Sequence, residues 1–172
     1  MMKRLLLPLL AIGLLVHIIQ PARAQSPVPE AGFGYSVGYV TYDWEELNGQ
    51  PGVTEVQFAS DDDAISCLPD GTGYCTPTPI PLDLEFPFFE NSYPEVYVST
   101  NGLLLFGEAP VISYRINYAI PRDFMPQDII AVYWDDLILD TATGAVYYKN
   151  FAAPCPVGGL ATACTIVEYY NV

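Results

Sequence analysis

The chain has 172 residues, enough for one domain with a substantial core, and its 20 acidic against 6 basic residues give a formal net charge of −14. Such an acidic surface repels polyphosphates and excludes nucleic acid as a partner, because nucleic-acid binding needs a basic footprint. The acidity fits solubility in an extracellular medium, and cation binding is the alternative explanation.

The first 24 residues are predicted to be a signal peptide. Lys3 and Arg4 precede an apolar run over residues 5–19, and Ala22-Arg23-Ala24 supplies a cleavage site with small residues at both ends. The apolar run is interrupted by Pro8 and is shorter than the about 20 residues of a membrane-spanning helix. We therefore expect a protein that is secreted, extracellular or at the cell surface, with no membrane span after cleavage.

Residues 25–34 form a polar, proline-bearing leader, and the folded domain is expected over residues 35–172. Alternating aromatic and β-branched residues over 35–44 predict a first strand in which Trp44 is a core anchor. Residues 53–58 follow a turn and predict a second short strand.

Val56 and Phe58 of that second strand are expected to face inward. The strand is followed by three consecutive acids, Asp61, Asp62 and Asp63. Closely spaced carboxylates can supply the oxygen ligands of calcium, but these acids lack the alternation and the glycine of an EF-hand. They are predicted to lie in a solvated loop, with calcium ligation as the alternative.

Four cysteines in a secreted chain predict two disulfides. Of three possible connectivities, the local one is the most economical because each local pair flanks a loop rich in proline and glycine. It joins Cys67 to Cys75 and Cys155 to Cys164. The spacings fit neither CxxC redox chemistry nor a zinc knuckle, so the cysteines are predicted to close two loops.

A β-hairpin is predicted over residues 96–106. Residues 82–88 before it alternate apolar and acidic side chains as a half-buried strand, and the prolines of residues 76–81 predict an extended segment along a sheet edge. Asn101-Gly102 accepts the positive φ angles of a two-residue type I′ turn. That turn would place Thr100 opposite Leu103, Val98 opposite Leu105 and Tyr97 opposite Phe106.

The rest of the chain also favours strands. Residues 111–119 predict a strand or an extended loop, and residues 128–139 predict a buried strand, with a short helix as the competing interpretation. Residues 145–149 and residues 165–172 are the last two predicted strands. Short strands with frequent turn signals predict an all-β fold, a β-sandwich of jelly-roll type with loops closed by disulfides.

The predicted mature chain has no imidazole, because the only histidine is His17 in the signal peptide. Histidine-based nucleophilic catalysis and histidine-ligated zinc are therefore excluded. Asp135 and Asp136 would point to opposite faces of a strand and so could not form a glycosidase dyad together, although a dyad of distant acids stays open. Trp134 is predicted to be a core residue whose neighbouring acids cap a turn, with a ligand or cation site as the alternative.

The strongest motifs surround the hairpin and the segment after it. They are Phe86-Pro87-Phe88-Phe89, Tyr93, Val96-Tyr97-Val98-Ser99, Asn101-Gly102, Phe106-Gly107, Ile129-Ile130-Ala131, Trp134-Asp135-Asp136 and Gly144 to Tyr148. Together they resemble nidogen-like extracellular domains over about residues 80–172, of the kind found in large secreted bacterial proteins. Glu90 and Val132-Tyr133 depart from the pattern of those domains.

The resemblance implies a secreted, non-enzymatic adhesion or interaction module whose partner is an extracellular protein or glycan. An accessory domain of a larger secreted hydrolase and a calcium- or carbohydrate-binding module that uses Trp134 are the alternatives. No cofactor is expected unless calcium binds at the acids, which are Asp61, Asp62, Asp63, Asp135 and Asp136. Because nidogen-like domains usually continue further, the domain is expected to be incomplete at Val172, with residues 165–172 as an edge strand.

Overall fold

The computed structural model describes residues 42–110, 115–120 and 128–172. The predicted signal peptide, the leader and most of the predicted first strand lie outside these residues, as do residues 111–114 of a later predicted strand. The described segments consist of strands, turns and loops, so they contain no helix that could cross a membrane.

The described residues form nine strands. In chain order they are β1 Thr54–Glu55, β2 Cys67–Pro69, β3 Cys75–Pro77, β4 Ile80–Phe88, β5 Asn91–Val98, β6 Leu103–Leu105, β7 Ile129–Ala131, β8 Ala145–Phe151 and β9 Cys164–Tyr170. All paired strands are antiparallel and form a four-stranded sheet β4-β5-β6-β7, a three-stranded sheet β1-β8-β9 and the two-stranded ribbon β2-β3.

The two larger sheets share one hydrophobic core. Its buried members come from both sheets and from the loops beside them, and they are Val56, Ile80, Leu82, Val96, Val98, Phe106, Leu139 and Val146. Alternation along each strand sends these side chains inward and their neighbours outward. The all-β sandwich predicted from the sequence is confirmed.

Strand β4 follows the predicted alternation, with Ile80 and Leu82 buried and Pro81 and Asp83 exposed. Its pairing with β5 shifts register between Pro81 and Phe86, and Asp83 in this interval has a φ of +52°. A bulge of this kind bends a strand locally. Beyond it, the ring of Phe86 stacks on Phe106 with centroids 5.4 Å apart, which begins an aromatic cluster.

The hairpin between β5 and β6 is present, but the predicted two-residue turn is wrong. Tyr97 pairs with Leu105, and the backbone amide of Ser99 donates to the carbonyl of Leu103 at 2.9 Å, which leaves three residues in the loop. Gly102 has a φ of +75° and its amide donates to the Ser99 carbonyl at 3.2 Å. This is a type I turn followed by a left-handed glycine, the usual three-residue hairpin loop.

The predicted buried strand over residues 128–139 is also largely wrong. Only Ile129–Ala131 is a strand, and the exposed fractions of Val132, Tyr133 and Ile138 are 57%, 72% and 64%. The physical reason is that β7 pairs with β6, which is only three residues long and gives β7 no partner for further ladder hydrogen bonds. Asp135 and Asp136 therefore lie on a loop and not on a strand.

One further sequence prediction fails in the N-terminal part of the described chain. Trp44 is 58% exposed and no strand forms over residues 42–47, so this side chain is not a core anchor. Residues 115–120 contain no strand, which fits the loop that was the alternative prediction for residues 111–119. Tyr42 and Trp44 lie outside the sheets, so an aromatic pattern alone does not decide pairing.

Both disulfides form at the predicted pairs. Cys67–Cys75 closes the ribbon β2-β3, and Cys155–Cys164 closes the loop between β8 and β9. The last strand is confirmed, since β9 pairs with β8 over seven residues from Cys164 opposite Phe151 to Tyr170 opposite Ala145.

Candidate interaction and cation site at the hairpin turn

The turn of the β5-β6 hairpin is buried, although turns usually lie at the surface. Ser99, Thr100 and Asn101 have no exposed surface, because residues 61–66 and 132–138 cover the turn from two sides. We call residues 132–138 the exposed loop, since its backbone contacts the turn while several of its side chains face solvent. Both covering segments carry the acids predicted as cation ligands.

The first covering segment is attached through Thr100 and Ser66. The Thr100 hydroxyl oxygen accepts the amide of Ala64 at 3.0 Å, and the Thr100 amide donates to the Ala64 carbonyl at 3.0 Å. One turn residue thus satisfies both backbone groups of a buried neighbour, as burial requires. The amide of Ser66 donates to the Val98 carbonyl at 2.7 Å, which extends this attachment along β5.

The second covering segment, the exposed loop, is attached through Asn101 and Gly102. The Asn101 side-chain oxygen accepts the amide of Leu137 at 2.9 Å, and its side-chain nitrogen donates to Asp63 at 3.0 Å. The Gly102 carbonyl accepts the amide of Val132 at 3.1 Å. A Cβ on Gly102 would lie 2.2 Å from the Tyr133 carbonyl oxygen, so the loop approaches closer than any larger residue permits.

Three of the five predicted cation ligands converge beside this turn. Carboxylate oxygens of Asp62, Asp63 and Asp136 all lie within 4.8 Å of one another. Asp61 instead contributes its carbonyl to the amide of Leu139 at 2.8 Å, and the carboxylate of Asp135 accepts the amide of Asp136 at 2.9 Å. The structure thus brings acids from two distant segments together and leaves Asp61 and Asp135 outside the group.

The carboxylates of this group differ in their hydrogen-bond and ion-pair partners. Asp63 pairs with the guanidinium of Arg115 at 2.9 Å, an exposed ion pair of the kind worth at most about 1 kcal/mol. Oδ1 of Asp62 is buried and has no hydrogen-bond partner among the described residues. A buried carboxylate oxygen without a donor is costly, and the three carboxylates could supply part of the about six to eight oxygen ligands of a calcium ion.

Trp134 belongs to the exposed loop, but its side chain is half-buried. Its ring packs against the second hydrophobic cluster, formed by Tyr97, Leu103 and Leu105, and its carbonyl accepts the side-chain amide of Asn117 at 3.2 Å. The tryptophan therefore fixes the inner side of the loop, while Val132, Tyr133 and Ile138 form the outer side.

Two residues of β9 matter to the site and were not singled out as site residues in the sequence. The Tyr169 hydroxyl donates to the Ser99 carbonyl at 2.9 Å and so connects the second sheet to the hairpin; burial raises the pKa of this phenol. Glu168 is 3% exposed and accepts the amides of Leu47 and Asn48 at 3.0 and 3.1 Å. The one feature of the sequence that could have identified Glu168 is that it is a single acid inside the apolar run of the last strand.

Burial is the main cause that raises the pKa of Glu168, and the nearby Glu46 raises it further, whereas the two backbone amides lower it. The carboxylate holds the segment before β1 against β9. It is therefore a structural anchor between this segment and the sheet β1-β8-β9.

The chain is similar in sequence to a known protein family. Residues 34–151 match the family described as NIDO related, which is well over half of the chain. The chain belongs to the NIDO-related family. No curated protein and no solved structure matches it significantly.

The NIDO-related match contains the hairpin, all five candidate acids and the exposed loop, and it confirms the nidogen-like resemblance seen in the sequence. It also begins well before residue 80, where that resemblance was first apparent. A NIDO-related domain with two disulfides points to an extracellular interaction module.

Proposed function

We propose that this NIDO-related domain is a secreted, non-enzymatic adhesion module that binds an extracellular protein through the exposed loop. The observation that carries the proposal is the contrast between the two sides of this loop. Its backbone is bonded to a fully buried turn through Val132 and Leu137, while the side chain of Tyr133 is 72% exposed.

A loop held in this way loses little conformational entropy when a partner binds. Preorganisation of that kind increases affinity without new contacts. Tyr133 offers the large amphipathic ring that is enriched in interface hot spots, with Val132 and Ile138 as apolar neighbours. The exposed Asp135 and Asp136 add negative charge to the same loop, which favours a partner with a basic surface.

The lack of a histidine after the predicted signal peptide supports the non-enzymatic part of the proposal. The only histidine of the chain is His17, so acid-base chemistry would depend on carboxylates. Within the group at the turn, Asp63 already pairs with Arg115 and Asn101.

The test is solid-phase binding of the purified chain to a panel of extracellular matrix proteins and to a glycan array. Tyr133→Ser combined with Val132→Ser should reduce binding to the recognised protein at least tenfold. Tyr74→Ser is the matched control, because Tyr74 is 77% exposed but lies on the first disulfide loop. Equal loss in both variants would reject the exposed loop, and binding to glycans alone would reject a protein partner.

A second candidate function is calcium binding by Asp62, Asp63 and Asp136, which the buried, unpartnered Oδ1 of Asp62 favours. A cation there would join the first covering segment to the exposed loop and neutralise like charges. At a calcium concentration 100 times the Kd, binding would stabilise the fold by about 2.7 kcal/mol.

Calorimetric titration with calcium measures this directly. Asp62→Asn should abolish the heat and the rise in melting temperature, whereas Glu95→Gln, an exposed acid on β5, should change neither. Binding that persists unchanged in Asp62→Asn would reject the site.

A further inference from the structure

The dipeptide Asn-Gly occurs twice in the chain, at Asn48-Gly49 and at Asn101-Gly102. Asparagine is a chemically labile residue, and it is most labile before glycine, because glycine has no side chain to hinder the approach of its backbone nitrogen to the asparagine side chain. The two copies share this intrinsic reactivity. A difference between them in the folded protein is therefore caused by the fold.

The reaction, deamidation, needs freedom of the backbone and of the side chain at the same time. The backbone nitrogen of the glycine attacks the side-chain carbonyl carbon of the asparagine and forms a C–N bond, while the bond from that carbon to the side-chain nitrogen breaks. The proton of the attacking nitrogen leaves with the side-chain amino group as ammonia, and a cyclic succinimide remains. Water then opens the ring at either carbonyl and yields aspartate or isoaspartate.

Asn101 is held out of the geometry that this reaction needs. It has no exposed surface, its side-chain oxygen accepts the amide of Leu137 at 2.9 Å, and its side-chain nitrogen donates to Asp63 at 3.0 Å. The attacking nitrogen would be that of Gly102, whose amide donates to the Ser99 carbonyl at 3.2 Å. Reaction at this copy must first break these bonds, which requires a local opening of the buried turn.

Asn48 and Gly49 are the central residues of a turn at the surface. The amide of Gln50 donates to the Leu47 carbonyl at 3.0 Å, and Gly49 has a φ of +78°, as in a type II turn. We call residues 47–50 the surface turn. Asn48 and Gly49 are both exposed, and nothing lies within 4 Å of the Cβ position of Gly49. The backbone between them can therefore rotate without displacing a neighbour.

The surface turn also attaches the segment before β1 to the sheet. The buried carboxylate of Glu168 on β9 accepts the amides of Leu47 and Asn48 at 3.0 and 3.1 Å. A carboxylate on residue 48 would place a negative charge on a residue that is bonded to Glu168, and like charges repel. An isoaspartate would also lengthen the main chain by one carbon inside the turn, which alters the geometry of the hydrogen bond from Gln50 to Leu47.

We propose that Asn48 is a site of spontaneous deamidation whose products loosen the attachment of the segment before β1 to β9, and that the fold protects Asn101 from the same reaction. The modification needs no enzyme and no reactant other than water. It gives an ageing chain one more negative charge and a loosened N-terminal segment. This site is independent of partner binding at the exposed loop.

The rates at the two copies test the protection. The purified chain is incubated at physiological temperature and neutral pH, either folded or in concentrated urea, and is then digested with an endopeptidase that cleaves after glutamate. Asn48 is recovered in the peptide 47–55 and Asn101 in the peptide 96–108, so mass spectrometry follows the two reactions separately. We expect Asn48 to deamidate at least tenfold faster than Asn101 in the folded chain, and the two rates to agree within threefold in urea.

Three outcomes of this experiment would overturn the inference. They are the absence of deamidation at Asn48 in the folded chain, equal rates at Asn48 and Asn101 in the folded chain, and a tenfold difference that persists in urea. The last outcome would mean that the neighbouring sequence, and not the fold, sets the difference.

Asn48→Asp tests the loosening, because it reproduces the charge of one product without lengthening the main chain. We expect the amide of Leu47 to exchange hydrogen at least tenfold faster in this variant than in wild type. In a Glu168→Gln background the same change should accelerate the exchange at most threefold, since the neutral side chain has no charge to repel. Unchanged exchange in Asn48→Asp, or equal acceleration in both backgrounds, would overturn the proposed effect on Glu168.

Discussion

Gly102 is constrained by both its backbone angle and its surroundings. Its φ of +75° is in the left-handed region, and a Cβ would meet the Tyr133 carbonyl oxygen at 2.2 Å. Gly49 has nearly the same angle, +78°, but nothing lies within 4 Å of its Cβ position. Substitutions at Gly49 and Gly102 therefore separate two free-energy costs, that of a left-handed backbone angle and that of a clash with Tyr133.

We expect Gly49→Ala to lower the free energy of unfolding by about 1–2 kcal/mol, the usual cost of a left-handed L-residue. Gly102→Ala should cost several kcal/mol, because the exposed loop must also move away from the turn. Urea denaturation of both variants measures the difference. Equal costs would mean that the contact with Tyr133 is not tight in solution.

Glu168 gives the fold a dependence on pH with a defined sign. Its folded pKa is raised above the ordinary value of 4.5, so the folded state holds the proton more tightly than the unfolded chain. The stability that this group contributes is complete below pH 4.5 and is lost as pH rises through the folded pKa. Ionised Glu168 therefore carries a desolvation cost at neutral pH.

We expect Glu168→Gln to be at least as stable as wild type at pH 7, since its side-chain oxygen can still accept the amides of Leu47 and Asn48. The variant should also lose the part of the pH dependence that lies just above pH 4.5. Glu168→Ala should cost about 1–3 kcal/mol, because buried amides lose their acceptor. Chemical denaturation between pH 4 and 8 tests both, and a wild-type stability that rises through this window because of Glu168 would contradict the sign.

At the scale of elements, the hairpin turn attaches two segments through two neighbouring residues. Thr100 bonds the backbone of Ala64, and Asn101 bonds the amide of Leu137. Asn101 also donates to Asp63 of the first segment at 3.0 Å, but the amide of Ala64 is bonded to Thr100, so the protection of the Ala64 and Leu137 amides should be separable by mutation.

We expect Thr100→Val to expose the amide of Ala64 to hydrogen exchange while the amide of Leu137 stays protected. Asn101→Ala should give the reverse pattern, because it removes one of the two acceptors of the Leu137 amide, leaves only the Asp135 carbonyl at 3.0 Å, and keeps Thr100 in place. Each change should cost about 1–3 kcal/mol, the usual penalty for an unsatisfied buried group. Simultaneous loss of both protections in either variant would show that the two segments open as one unit.

The elements of the sandwich were predictable wherever the local pattern agreed with burial. The alternation of Leu82, Leu84 and Phe86 identified β4 correctly. The turn was missed because Asn101-Gly102 is compatible with either hairpin loop, and bonds to Leu137 and Asp63 select the longer one. Those partners are more than 30 residues away in sequence, where local turn rules carry no information.

The candidate site was predictable only in part for the same reason. The sequence singled out five acids, but it gave no ground for choosing Asp62, Asp63 and Asp136 from among them. Their convergence depends on the exposed loop, whose apolar residues had been interpreted as a buried strand. Glu168 was not singled out because its partners are backbone amides 120 residues or more away.

At the scale of the molecule, the two disulfides close loops of nearly equal length in different surroundings. The paired cysteines are separated by 8 and 9 positions, and Cys67 and Cys155 are both buried. Leu68 and Tyr74 on the first loop are largely exposed. On the second loop, Leu160 is 51% exposed and lines an open cleft together with side chains of β4 and β9.

We expect both double variants, Cys67→Ser with Cys75→Ser and Cys155→Ser with Cys164→Ser, to lose the entropy of loop closure. That loss is somewhat below the about 3 kcal/mol of a 15-residue loop. The second variant should lose more, because its loop also lines the open cleft beside β4 and β9. Urea denaturation of both variants measures the difference. If the first variant were the less stable of the two, the second loop would not help to hold β4 and β9 together.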